Sequence, residues 1–178
     1  IIGLLDSAEG YGHSDSGKGK KTLVEFVSAN PTGPLHVGHG RHAAYCATVA
    51  NLLASTCNEV QREYYVNDAG RQMDILTLSV WLRMFRQAGI EAPFPSNGYH
   101  GRYVTDIATA AAEKFAATID AGNLADPANL PPDAPAGNAD DYLDAWIEHA
   151  RRTLGADVFQ AILEFALESI LADIKEDM

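Results

Sequence analysis

The feature that most constrains this chain is a β-rich run that enters a proline- and glycine-containing turn and continues into a helix carrying two histidines. Residues 22–28 favour an extended strand, residues 31–34 favour the turn, and His36 and His39 stand at the helix start. A helix start has unpaired backbone N–H groups and a positive dipole end, so it suits a phosphate. Residues three apart share one helix face, so both imidazoles can meet one ligand. The pattern predicts a nucleotide site.

Five neighbouring residues are further site candidates. Gly38 has no side chain, so a flat ring or a phosphate can approach the backbone there. Arg41 lies near enough to the helix start to reach a phosphate. Glu25, at the end of an apolar strand, is interpreted as a buried carboxylate that needs a cationic ligand or a structural salt bridge. Ser28 and Asn30 either shape the turn or contact the ligand.

The order of strand and helix patterns predicts the fold class. An α/β fold is expected, with a Rossmann-like parallel sheet and a helical insertion or extension, because a strand–helix–strand order implies a parallel crossover. Asn67 and Asp68 are either a helix cap or site residues. His42, Tyr64, Tyr65 and Trp81 are expected to pack against other residues. The predicted strands are 22–27 and 59–66, and the predicted helices are 36–55, 69–87, 103–121, 140–154 and 157–178.

Composition limits the possible partners and location. The 178 residues carry a net charge of −11, which makes the chain a poor unaided nucleic-acid binder. Two cysteines cannot build a disulfide framework or a metal quartet, and Cys46 is expected in the core. No run of apolar residues is long enough to span a membrane and no signal peptide is visible, so we expect a cytoplasmic protein without a membrane partner.

Three regions are expected along the chain. Residues 1–20 are interpreted as a mobile loop and the end of a preceding module, because residues 9–20 are rich in glycine and serine. Residues 21–90 should form the first half of a Rossmann-like catalytic domain. Residues 91–178 should form a helical insertion and a truncated continuation of that domain, with a loop or linker at 122–139. The chain is expected to be a fragment, since it opens without Met and ends inside a helical pattern.

Several tracts resemble one known family. His36-Val37-Gly38-His39 resembles the H-I-G-H signature of class I aminoacyl-tRNA synthetases. The flanking tracts 25–31 and 40–41 are similar to the arginyl-tRNA synthetase version of that signature, and so is the tract 62–72. The tract 93–103, Pro-Phe-Pro through Gly-Arg-Tyr, resembles a bacterial branch of the same family. The resemblance covers residues 18 to 110 closely and the rest loosely.

The resemblance implies a specific chemistry. Arginyl-tRNA synthetases join arginine to ATP as arginyl-adenylate, release pyrophosphate, and transfer the arginyl group to tRNA(Arg). By matching motif positions, His36 and His39 would be catalytic, stabilising charge on the ATP phosphates, with Gly38 and Arg41 also in the ATP site. The arginine site would contain Glu25, Ser28, Asn30 and Gln72. The expected substrates are ATP, arginine and tRNA(Arg), Mg²⁺ is expected with ATP, no zinc or protein metal ligand is assigned, and a monomer is expected.

Two departures from the family pattern are visible. The second signature, K-M-S-K-S, is absent, and Gly33 stands where some members carry a compensating lysine. The family's helical anticodon-binding domain and its N-terminal tRNA-elbow module are also missing. The second signature is therefore expected beyond this chain, and the fragment alone is expected to be inactive. A small-molecule nucleotidyltransferase with an H-x-G-H motif is one alternative. A non-catalytic relative that kept the fold is the other.

Overall fold

The computed structural model of the chain describes residues 10–124 and 130–178. These residues divide into two compact units. Residues 10–30 and 35–67 form the histidine unit, and residues 31–34, 68–124 and 130–177 form the helical unit. The elements in chain order are β1 (Lys21–Glu25), α1 (Val37–Ser55), β2 (Glu59–Glu63), α2 (Arg71–Gln87), α3 (Arg102–Lys114), 3₁₀ turns at Ala116–Thr118 and Ala121–Leu124, and α4 (Ala139–Asp177).

The histidine unit is a parallel strand–helix–strand arrangement. β1 pairs with β2 in parallel, with Lys21 opposite Glu59 at one end and Glu25 opposite Glu63 at the other. The core cluster among the described residues of this unit is small, with two residues from the β1 segment and two from α1: Val24, Phe26, Cys46 and Ala50. The parallel pairing and the burial of Cys46 confirm the predictions made for them.

Both strands are shorter than predicted. β1 ends at Glu25 rather than near Ser28, because Val27 and Ser28 have left-handed backbone angles, with φ of 55° and 47°. β2 ends at Glu63, three residues earlier than predicted. Helix α1 begins at Val37 and ends at Ser55, close to the predicted bounds.

Several apolar residues of β1 and α1 are exposed. Leu23 of β1 is 56% exposed, and Val37 and Leu52 of α1 are 91% and 63% exposed. His42 is also exposed rather than packed. Among the described residues the sheet of this unit has two strands. A helix over one of its faces can cover only the side chains that point to that face.

The C-terminus of α1 is capped by its own chain and by the glycine-rich segment. Cys57 has a φ of 62°, and the next amide, of Asn58, donates to the Leu53 carbonyl, which is the hydrogen bond of a Schellman cap. The Gly17 amide donates to the Thr56 carbonyl at 2.7 Å. A Cβ on Gly17 would lie 2.0 Å from the Asn58 side chain, so only glycine fits there. Residues 10–20 are thus hydrogen-bonded turns, and their mobility stays a prediction.

The helical unit is built around α2. Both faces of this helix are buried, and Trp81, as predicted, is fully enclosed. It packs against α3 and α4. The helix begins at Arg71 with Gly70 as its N-cap and no side-chain cap, so the prediction that Asn67 or Asp68 caps it is wrong.

The remaining helices follow the predicted order with shifted ends. α3 ends at Lys114 rather than at residue 121, and two short 3₁₀ turns follow it. α4 is interrupted at Gly155, whose φ of 72° and ψ of 164° divide it close to where two helices were predicted. Arg71 of α2 forms ion pairs of 3.0 and 2.9 Å with Asp140 and Asp144 of α4. Within the part of the chain that the structure describes, no helix combines the length and apolar character needed to cross a bilayer.

Candidate functional site

Two histidines cap the N-terminus of α1 reciprocally. His36 is the N-cap residue, and its Nδ1 accepts a hydrogen bond from the Gly38 amide at 3.1 Å. The His39 Nδ1 accepts from the His36 amide at 3.2 Å. The two rings are stacked, with centroids 3.7 Å apart and an interplanar angle of 19°. Imidazoles thus take the places that a hydroxyl and a carboxylate occupy in the usual capping box.

The cap fixes the tautomer of both rings. An Nδ1 that accepts a hydrogen bond from an amide carries no proton, so the proton of each neutral ring is on Nε2. Both histidines therefore keep an Nε2–H donor that the cap does not use. The helix start then presents two parallel imidazole donors within one stacked pair.

The backbone amides at this helix start are more occupied than the sequence suggested. The amides of His39 and Gly40 both donate to the His36 carbonyl, at 2.8 and 3.1 Å, and those of His36 and Gly38 donate to the rings. The expectation that free amides would hold a phosphate is therefore wrong for these four groups. The Nε2–H groups of both rings remain as donors for an anion.

The lowered pKa of His39 favours the neutral ring that can act as a hydrogen-bond donor. Burial lowers the pKa of His39 below its ordinary value, and the neighbouring His36 lowers this pKa further. A neutral His39 keeps Nδ1 available for the cap and Nε2–H available as a donor. A neutral His39 can donate a hydrogen bond to an anion without carrying a charge of its own.

Gly38 and Arg41 have different surroundings. A Cβ on Gly38 would lie 3.0 Å from Cε1 of the His36 ring, so glycine lets that ring fold over the backbone. The predicted approach of a ligand at Gly38 stays a prediction. Arg41 is exposed and is the fifth residue of α1, so it begins the second turn. Among the described residues it has no ion-pair partner, which leaves its guanidinium available to an anion.

The backbone that follows β1 is strained. Left-handed φ angles at Val27 and Ser28 are unusual, above all for β-branched valine, and each costs about 1–3 kcal/mol. The Ser28 hydroxyl accepts from the Tyr65 amide at 3.1 Å and donates to the Phe26 carbonyl at 3.3 Å. Ser28 therefore holds the strained bend in place. Its predicted contact with arginine stays a prediction.

Hydrogen bonds join the segments that follow β1 and β2. The Phe26 amide donates to the Glu63 carbonyl, which continues the strand pairing by one bond. The Tyr64 hydroxyl donates to the Ala29 carbonyl at 2.8 Å, and burial raises the pKa of Tyr64. The structure thus brings together two of the sequence tracts that carry the family resemblance.

Asn30 and Asn67 form a further contact between the segments that follow β1 and β2. The Asn67 side-chain amide donates to Asn30 Oδ1 at 3.2 Å, so Asn67 acts as a partner of Asn30 rather than as a helix cap. Tyr65, by contrast, is 58% exposed and does not pack in the core as predicted.

Glu25 is exposed, so the interpretation of it as a buried carboxylate is wrong. Leu23 and Glu25 alternate with the buried Val24 and point to the sheet face opposite α1. In the described residues Glu25 has no ion-pair partner. Its register partner is Glu63, and residues paired in register point to the same face. Sequence reasoning missed Glu63, although each strand ends in glutamate.

Gln72 lies in the helical unit, at the second residue of α2, where it is exposed. Its predicted role in arginine binding stays a prediction. An open groove of about 440 Å³ runs across the strands of the histidine unit, but it lies at their amino ends, around Lys21 and Glu59, and the cap is not part of it. Within residues 10–124 and 130–178, no three His, Cys, Asp or Glu side chains are grouped so as to hold a metal ion.

Comparisons with known proteins agree on one family. The family model for the catalytic domain of class I (R) tRNA synthetases matches residues 2–96. The chain is 50% identical over 181 residues to an arginine–tRNA ligase of Thioalkalivibrio sulfidiphilus, covering 100% of the chain and 30% of that protein. It is 47% identical over 180 residues to an arginine–tRNA ligase of Coxiella burnetii, with the same coverage.

A solved structure from the same family is similar in fold to this chain. A crystal structure assigned as an arginyl-tRNA synthetase from Campylobacter jejuni has a TM-score of 0.65 and 27% sequence identity, covering 98% of this chain and 31% of that one. The chain spans about 30% of the length of the curated relatives named above. The fold similarity agrees with the predicted α/β, Rossmann-like class.

Proposed function

The chain belongs to the family of class I (R) tRNA synthetase catalytic domains, and we propose that it is the histidine-bearing, ATP- and arginine-binding segment of an arginine–tRNA ligase. The full enzyme would activate arginine with ATP to arginyl-adenylate and pyrophosphate, and would then esterify tRNA(Arg). This segment supplies part of the first step. It lacks the K-M-S-K-S signature, so it is inactive alone in this proposal.

The reciprocal cap is the observation that carries the proposal. In adenylate formation the arginine carboxylate attacks the α-phosphorus of ATP, and negative charge builds up on the phosphate oxygens. Two Nε2–H donors held in one orientation can stabilise that charge without rearranging during the reaction. Because the rings already bond to the backbone of their own helix, they need no further ordering when the nucleotide binds.

In this proposal arginine is bound at the carboxyl ends of the strands. Glu25 and Glu63 carry like charges in register, an arrangement that destabilises a sheet unless a cation lies between or above them. A guanidinium can donate two parallel hydrogen bonds to a carboxylate, which an ammonium cannot do. Ser28, Asn30 and Gln72 would contact the polar end of the amino acid.

The donor set of the site indicates how Mg²⁺ would be bound. The cap offers imidazole N–H groups, whereas Mg²⁺ prefers oxygen ligands. The residues present therefore fit a Mg²⁺ ion carried by the ATP phosphates and water rather than by a protein cage. Arg41 would approach the same phosphates. The proposed enzyme is a monomer, is located in the cytoplasm and has tRNA(Arg) as its macromolecular substrate.

Pyrophosphate exchange into ATP tests the function. A full-length synthetase that carries this chain should exchange labelled pyrophosphate only when arginine and tRNA(Arg) are present, and lysine should not replace arginine. Glu25→Gln should raise the Michaelis constant for arginine more than the one for ATP. Exchange that depends on another amino acid, or on no amino acid, would overturn the proposal. An enzyme with no exchange under any condition would support the non-catalytic interpretation.

A further inference from the structure

The tract from Tyr99 to Tyr103 carries part of the family resemblance, yet its side chains take no part in the histidine cap. It lies in the helical unit, where it leads into α3. The short turn at residues 31–34, which precedes the histidines along the chain, belongs to the same unit. The contacts between this tract and this turn are specific enough to suggest a role.

Tyr103 holds one residue of the turn through its backbone. The Tyr103 hydroxyl donates to the Thr32 carbonyl at 2.6 Å. Tyr99 begins the same tract, and its amide donates to the buried Ser79 hydroxyl of α2 at 3.0 Å. The tract is therefore bonded both to the turn and to α2.

Two glycines make room for the Tyr103 ring. A Cβ on Gly33 would lie 3.2 Å from both Cζ and Oη of Tyr103. A Cβ on Gly101 would lie 2.2 Å from Cε1 of the same ring. The ring thus packs closely between the turn and its own helix start, which restricts the positions that the turn can take.

Tyr103 is also kept as a permanent donor. Burial, and after it the neighbouring Tyr99, raise the pKa of Tyr103 to about 12. The phenol is therefore protonated at every pH at which an enzyme of this class would work. Its bond to the Thr32 carbonyl persists over that range.

We propose that Tyr103, supported by Tyr99, is a positioning residue that fixes the turn at 31–34 and thereby the start of the histidine cap. Leu35 alone separates the turn from His36 along the chain. A displacement of the turn therefore reaches the cap through one intervening residue. This inference rests on the proposed function, because it assigns Tyr103 a role in the geometry of the two imidazole donors.

Tyr103→Phe in a full-length synthetase that carries this chain is the first test. The substitution removes only the hydroxyl. Misplaced catalytic groups lose rate, so kcat for arginine-dependent pyrophosphate exchange should fall about tenfold to a hundredfold. The Michaelis constants for ATP and arginine should change by less than about twofold, since the lost interaction acts in the transition state. Tyr142→Phe is the matched control, because within residues 10–124 and 130–178 the Tyr142 hydroxyl forms no hydrogen bond.

A double substitution separates positioning from stability. In a His39→Ala background the donor to be positioned is missing, so Tyr103→Phe should reduce kcat by much less than it does in the wild type. An equal reduction in both backgrounds would show that the hydroxyl acts only on stability and would overturn the inference. So would a Tyr103→Phe enzyme with a wild-type kcat. In both of these results the wild type remains arginine-dependent, so the proposed function survives; a wild type without arginine dependence would refute both.

Discussion

The two units of this chain differ in how much of their apolar surface they bury. The helical unit encloses Trp81 and Trp146 completely, and α2 is buried on nearly every side. Among the described residues, the core cluster of the histidine unit contains four buried side chains. Within residues 10–124 and 130–177, the large apolar side chains that are exposed all lie in the histidine unit: Tyr11, Leu23, Val37, Tyr45, Leu52 and Tyr65.

The helical unit therefore contributes mainly to stability, whereas the histidine unit contains the groups proposed for the chemistry. A residue in a closely packed core contributes to stability through burial, and the helical unit has most of these residues. The histidine unit has strained backbone at Val27 and Ser28, like charges in register at its strand ends, and a cap made of imidazoles. Local arrangements of this kind are less stable than their alternatives and concentrate at functional sites.

The largest expected effect is on the stability of the helical unit. Trp146→Ala should lower its free energy of unfolding by about 3–5 kcal/mol, because it leaves a large cavity in a filled core. Phe26→Ala in the thin core of the histidine unit should have a smaller effect. Urea unfolding followed by tryptophan fluorescence measures the first change, since Trp81 remains as a reporter in the same unit. Leu52→Ala, at an exposed position, should change stability by less than about 0.5 kcal/mol. Equal losses for Trp146→Ala and Phe26→Ala would contradict the comparison.

The second effect is on catalysis in the histidine unit. In a full-length synthetase, His39→Ala should reduce arginine-dependent exchange by about 10²–10³-fold, which is typical of losing one transition-state donor. His42→Ala, three residues further along the same helix and exposed, should leave the rate unchanged.

A third variant separates capping from catalysis. His39→Gln can still accept from the His36 amide, so it should restore the cap but not the imidazole donor. Recovery of the wild-type rate in His39→Gln would show that His39 is only a cap and would remove the main support for the proposed mechanism.

Local patterns predicted the parts of the fold that depend on local signals. The start of α1 beside His36, the parallel strand–helix–strand order and the division of the last helix near Gly155 follow from turn residues, apolar runs and a glycine. Cys46 was predictable because it lies on a helix face with small apolar neighbours.

Features that depend on distant residues were not predictable. No glycine marks the left-handed angles at Val27 and Ser28. The exposure of Glu25 depends on which face of the sheet α1 covers, and the run Leu23-Val24-Glu25-Phe26 does not reveal that face. The contact of Tyr103 with Thr32 joins residues 71 positions apart, so it is visible only in the folded chain.

The smallest expected effect is on the pH dependence of the cap, and it tests whether the histidine unit works with neutral rings. Burial, and then the charge of His36, lower the pKa of folded His39 below the ordinary 6.5. The unfolded chain therefore takes up a proton at a higher pH than the folded chain does. The stability that His39 contributes is present above pH 6.5 and is lost as the pH falls below it towards the folded pKa. Protonation of Nδ1 would also break its bond with the His36 amide.

Imidazole ¹⁵N and ¹H spectra of the 178-residue chain measure this pH dependence directly. At pH 7.5 the spectra should show the Nε2–H tautomer for both His36 and His39, and the midpoint for His39 should lie below its value in urea. In a His36→Ala variant the midpoint should rise only in part, because burial is the larger cause and remains. A folded midpoint at or above the unfolded one would mean that the pair binds phosphate as a cation. The histidine unit would then function by charge, and its catalysis should weaken with added salt, which a pair of neutral donors would resist.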